Sequence, residues 1–97
     1  MPLENTKTLD NAKHFINTYK DNLYTKFEQS FPKLKKLDYM IFIYSVIGFS
    51  YRTMSFLTDE KITILYKRYH RLKEKIINSN SEYKGIFLTE MRETVDN

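Results

Sequence analysis

The sequence predicts an all-α fold, and three observations carry that prediction. The 97 residues include only two Gly and two Pro, so few positions interrupt local structure and long unbroken segments follow. Apolar residues recur at steps of three and four along most of the chain, the repeat of one helix face. One run is dense in β-branched and aromatic residues, Met40-Ile41-Phe42-Ile43-Tyr44 with Val46 and Ile47. It has no second run of its kind to pair with in a sheet, so it reads as a helix buried nearly all round.

The elements follow in order. Leu9, Ala12, Ile16, Tyr19, Leu23 and Phe27 mark one face between Leu9 and Phe31. They predict a single amphipathic helix of about five or six turns within residues 1–30. Its charges cancel, with Lys7, Lys13, Lys20 and Lys26 against Glu4, Asp10, Asp21 and Glu28. Two roles stay open for it: a coiled-coil-like linker or dimer seam, and packing on the chain's own core. Phe31-Pro32 ends it, because a residue before proline is pushed out of the α region. The buried helix then runs over about 35–47, with Gly48 supplying a C-terminal residue tolerant of positive φ. Ser50 is placed to cap a short helix through Tyr51, Met54 and Leu57, and Thr58-Asp59-Glu60 breaks it. Ile62, Leu65, Tyr69, Leu72 and Ile76 predict the next helix, about 62–77. After the polar turn Asn78-Ser79-Asn80-Ser81, a last helix from Glu82 to Glu93 packs Tyr83, Ile86, Phe87 and Met91, and residues 94–97 fray. Most of the fifteen Tyr and Phe residues fill the core, while Tyr39, Tyr44 and Tyr51 are expected to stay partly exposed.

Composition excludes most elaborate functions. The length suits one domain. With no Cys there is no disulfide, thiol nucleophile or Cys-ligated zinc. Two glycines do not furnish a phosphate-cradling loop. His14 and His70 lie on different predicted helices without a partner at ligand spacing, so neither a metal nor a cofactor is expected. No nucleophile or paired acid and base is present, so neither an enzyme nor a small-molecule substrate is expected. The N-terminus lacks the pattern of a signal peptide. The longest uncharged run, Tyr39 to Tyr51, is far short of the ~20 residues a membrane span needs. The expectation is a soluble, cytoplasmic protein without a membrane partner.

Charge is more informative by segment than in total. The chain carries sixteen Lys or Arg against twelve Asp or Glu, net +4. From Lys61 to Ile76, Lys61, Lys67, Arg68, Arg71, Lys73 and Lys75 face only Glu74, which gives +5 and leaves −1 for all other residues. At 100° per residue, Thr63, Lys67, His70 and Glu74 lie opposite the apolar stripe, with Tyr66 and Arg71 flanking and Arg68 near its edge. Cations and hydrogen-bonding side chains on a core-anchored helix suit groove docking, the cations for phosphates and the donors for base edges. A merely solvated cationic face is the plainer reading of the same pattern.

The ordered set Phe31-Pro32-Lys33-Leu34, Asp38, Gly48-Phe49-Ser50, Met54-Ser55-Phe56-Leu57, Tyr66, Arg68, Arg71-Leu72-Lys73 and Ile76, followed by Ser79, Ser81 and Phe87-Leu88, resembles the helix-turn-helix domain of LuxR/GerE type. It is most similar to the version at the end of bacterial transcriptional regulators that carry tetratricopeptide repeats and a coiled coil upstream. The resemblance covers residues 31–91. It implies a helix-turn-helix domain over 31–93, with a trihelical core and a recognition helix at about 61–77, acting as a homodimer on double-stranded DNA. Contacts to DNA would map onto Tyr66, Lys67, His70 and Arg71, with Arg68 and Thr63 beside them. Glu60 and Lys61 stand where that family has an apolar residue and a Ser or Thr cap, so Asp59 or Thr58 is expected to cap the recognition helix and start it about a residue early. The competing expectation is a helix-turn-helix-like module that docks protein through its long first helix or exposed aromatics.

Overall fold

The computed structural model describes residues 2–94, with side chains from Lys7 onward. The described residues form α1 (Pro2–Tyr19), α2 (Leu23–Ser30), α3 (Lys36–Ile47), α4 (Tyr51–Thr58), α5 (Ile62–Ile77) and α6 (Lys84–Glu90), with no strand beyond an isolated bridge. The fold is all-α. Residues Ile41 to Val46 of α3 are all buried, as a helix apolar on every side requires, and α1, α4 and α5 pack around it. Phe42 stacks on Phe27 of α2 with ring centroids 3.7 Å apart, and Phe87 of α6 meets the two edge-on at 5.7 and 5.3 Å. Each such pair contributes about 0.5–1.5 kcal/mol beyond area burial, and this cluster joins the beginning, middle and end of the chain. The buried Ser45 hydroxyl donates to the Phe42 carbonyl at 2.9 Å. Tyr44, expected to be partly exposed, is fully buried, and its hydroxyl has no hydrogen-bond partner among the described residues. Tyr51 is buried as well.

The single helix expected over residues 1–30 is two helices. Asp21 and Asn22 adopt left-handed φ of 53° and 57°, a conformation that short polar side chains tolerate better than others. The Asn17 side chain fixes the bend, accepting from the Thr25 amide and donating to its hydroxyl, both at 3.1 Å. The apolar stripe persists across the break, which is why periodicity alone does not reveal it. Leu9, Ala12, Ile16, Leu23 and Phe27 are buried in the chain's own core, whereas Tyr19, placed on the same stripe, is 73% exposed. A homodimer through this segment would therefore rest on Phe15 and Tyr19, exposed neighbours with ring centroids 4.9 Å apart. Removing residues 1–28 would take Ile16, Leu23 and Phe27 out of the core.

The last helix is shorter than expected, Lys84–Glu90. Ile86, expected inside, is exposed, while Phe87 and Met91 are buried. Residues 91–94 then run back across the end of α3. The Arg92 amide donates to the Ser45 carbonyl, and its guanidinium to the carbonyls of Val46 and Ile47, each at 3.2 Å. These bonds satisfy carbonyls that a helix C-terminus otherwise leaves open. Gly48 ends α3 at φ 100°, and a Cβ there would sit 3.0 Å from the Arg92 guanidinium. Thr94, expected to fray, bridges to Ser50; residues 95–97 of that expected tail lie outside the described residues. No helix among the described residues is long and apolar enough to cross a membrane.

Candidate nucleic-acid interface

α4, a three-residue turn and α5 form one hydrogen-bonded unit. The Ser50 hydroxyl accepts from the Thr53 amide at 3.2 Å and caps α4 as expected. At the other end, the Thr58 hydroxyl donates to the Met54 carbonyl at 2.7 Å and accepts from the Glu60 amide at 3.3 Å. Asp59 closes α4 in the left-handed conformation at φ 58°, and the Ser55 hydroxyl reaches the Glu60 carbonyl at 2.5 Å. Thr58 and Asp59 are thus occupied in ending α4 and cannot cap α5. That helix begins at Ile62 behind Lys61, without a side-chain cap and without the expected early start.

Leu65, Tyr69, Leu72 and Ile76 anchor α5 to the core. Of the six residues expected at an interface, Thr63, Tyr66, Lys67 and Arg71 are exposed. The other two are held within the fold. Arg68 pairs with Asp38 of α3, its Nη2 and Nε lying 3.0 and 3.2 Å from the same carboxylate oxygen. His70 Nε2 lies 2.9 Å from Glu93 Oε2, which also accepts the Tyr51 hydroxyl at 2.7 Å. The Tyr66 ring packs on His70 and Tyr51, at centroid distances of 4.5 and 5.8 Å. The Tyr51 hydrogen bond, then His70 and Lys73, hold the Glu93 carboxyl below the usual range against its partial burial. Burial, with Glu93 nearby, pushes the Tyr69 hydroxyl up to about 12.

The opposite flank of α5 is open. Lys33 and Lys35 of the α2–α3 loop face Arg68, Arg71 and Lys75 across a cleft of about 260 Å³ whose one acid is Asp38. Among the described residues, Lys33, Lys35, Lys67, Arg71 and Lys75 form no ion pair. Sequence reasoning missed this partnership. Lys33-Leu34-Lys35-Lys36 is a visible basic run, but its counterpart on α5 lies more than thirty residues away. Along the axis, at about 1.5 Å per residue, Lys67 stands ~7.5 Å and Arg71 ~13.5 Å beyond Ile62. The cations therefore occupy the middle and far half of α5, set back from Asp59 and Glu60. Beside exposed Lys61 and Thr63, the near end presents apolar surface: Ile62 and Ile64 are exposed, and Phe56 of α4 is 82% exposed.

No group of three His, Asp or Glu among the described residues is arranged to hold a metal ion. Comparison with protein-family models, with curated proteins and with solved structures found no match.

Proposed function

We propose that the α4–turn–α5 unit binds double-stranded DNA, mainly through phosphates. The observation that supports this reading is the set of exposed, unpaired cations Lys67, Arg71 and Lys75 on a helix whose other face is fixed in the core. A helix of 16 residues spans about 24 Å, and a major groove about 12 Å wide admits it. The exposed α5 side chains nearest its N-terminus are Ile62, Thr63 and Ile64, which offer few donors for base edges. Sequence-independent phosphate contact is therefore the dominant mode in this reading. With Arg68 paired to Asp38 and His70 to Glu93, Thr63, Tyr66, Lys67 and Arg71 are the working set. The test is a mobility shift with generic duplex DNA at low ionic strength. Lys67→Glu and Arg71→Glu should each weaken binding roughly tenfold or more, whereas Lys7→Glu, on α1, should leave it within twofold. Equal losses for all three variants would overturn the reading.

One observation favours a second reading, a module that docks protein. Phe56, Ile62 and Ile64 expose apolar surface on both sides of the turn, and surface of that kind marks interaction sites when it is contiguous. Under this reading Phe56→Ser abolishes a concentration-dependent association seen by sedimentation, and duplex DNA gives no shift.

A further inference from the structure

We propose that the cleft between the α2–α3 loop and α5 is a binding site for an oligophosphate anion. The inference does not rest on the DNA reading: Arg71 and Lys75 are common to both, but Lys33, Lys35 and a soluble ligand belong to the cleft alone.

Charge is the first argument. Arg68 and Asp38 neutralise each other at 3.0 Å, which leaves Lys33, Lys35, Arg71 and Lys75 as four cations around one cleft with no second acid in its lining. Like charges gathered this way repel one another, and a multiply charged anion relieves the repulsion. An oligophosphate carries several charges in one chain and accepts hydrogen bonds from both ammonium and guanidinium donors.

Preorganisation is the second. The loop carrying Lys33 and Lys35 is anchored on both sides by one side chain: the Tyr39 hydroxyl donates to the Phe31 carbonyl and accepts from the Leu34 amide. Leu34 itself packs against the core, and the Arg68–Asp38 pair ties α5 to the first turn of α3. The two cationic walls are therefore held at a set separation before a ligand arrives, which lowers the ordering cost of binding.

Shape and field add to these. The cleft's 260 Å³ corresponds to roughly nine waters at ~30 Å³ each, room for more than one phosphoryl group. A second depression of about 230 Å³ adjoins it and shares Lys33, Leu34 and Lys75, so the concave surface continues past these two lysines. Lys35 is the N-cap of α3 and no side chain caps that helix, so the positive end of its dipole borders the same cleft.

The experiment is an isothermal titration of the full chain with inorganic tripolyphosphate at low ionic strength, and in parallel with orthophosphate. Saturable one-to-one binding of tripolyphosphate is expected, at least tenfold tighter than orthophosphate. Lys33→Gln combined with Lys75→Gln should weaken it tenfold or more, and Lys67→Gln, outside the cleft, should change it less than twofold; circular dichroism checks that each variant is folded. Three results would overturn the proposal: no saturable binding of tripolyphosphate, equal affinity for the two anions, or a Lys67→Gln loss as large as that of the cleft variant. Loss of tripolyphosphate binding with retained DNA binding would sink this site and leave the DNA reading standing.

Discussion

The two flanks of α5 both carry polar side chains and treat them in opposite ways. On one, Tyr66, Tyr69 and His70 face Tyr51 and the C-terminal segment, where Glu93 collects a tyrosine hydroxyl and an imidazole. Polar groups there satisfy one another, and the flank works as a seam between α4, α5 and residues 91–94. On the other, Arg71 and Lys75 face Lys33 and Lys35, and only Arg68 has found an acid. The comparison teaches that charge on a helix wheel does not by itself identify a binding face. What distinguishes the two flanks is whether the surrounding chain supplies counter-charges, and on the Arg71 flank it does not.

Substitutions can sharpen or break this contrast, the largest effect coming from the core that supports both flanks. Phe42→Ala removes the ring stacked on Phe27 and met by Phe87, and should cost about 3–5 kcal/mol in thermal or denaturant unfolding. A loss below ~1 kcal/mol would show that the aromatic cluster does not bind the chain's ends together. Next comes Asp38→Ala, which strips Arg68 of its charged partner; stability should fall by about 1.5–3 kcal/mol, while affinity for duplex DNA rises because the flank gains a free cation. A variant that binds DNA more weakly than the parent would mean that the pair positions Arg71 rather than merely occupying Arg68.

The satisfied flank has its own test in pH. Glu93 has its folded-state pKa lowered by Tyr51 and His70. Its contribution is therefore fully present above the ordinary carboxylate range, near 4.3 in an unfolded chain, and is lost as the pH falls through the lower folded-state value. The Arg92 amide, which donates to the Ser45 carbonyl, should lose hydrogen-exchange protection over that acid window, and Glu93→Gln should abolish the dependence. The smallest effect is expected at Tyr44. Its buried hydroxyl lacks a partner among the described residues, so Tyr44→Phe should be neutral or stabilising by up to ~1 kcal/mol; a clear destabilisation in chemical unfolding would show that the hydroxyl is satisfied in solution.

Much of the fold was legible in the sequence because its signals are local. Helices expected at about 35–47 and 61–77 are found at Lys36–Ile47 and Ile62–Ile77, and the helix expected after Ser50 is found at Tyr51–Thr58. Gly48 and Ser50 mark two of those boundaries by backbone conformation and by a cap, both properties of a few adjacent residues. The bend at Asp21-Asn22 was not legible, since it depends on Asn17 reaching Thr25 while the apolar repeat continues on both sides. The candidate site divides in the same way. Exposure of Thr63, Tyr66, Lys67 and Arg71 follows from helix geometry alone. The engagement of Arg68 by Asp38 and of His70 by Glu93, and the arrival of Lys33 and Lys35 opposite Arg71, span 23 residues or more and have no local signature.

The central claim is that unpaired cations on α5 bind duplex DNA through phosphates, and its most direct test is the salt dependence of binding measured by fluorescence anisotropy. If Lys67, Arg71 and Lys75 each neutralise one phosphate, the plot of log affinity against log salt should have a slope of about −3, and the Lys67→Gln, Arg71→Gln double variant should reduce it to about −1. A slope unchanged in the double variant, or no binding to duplex DNA near 50 mM salt, the low end of the usual range, would contradict the account.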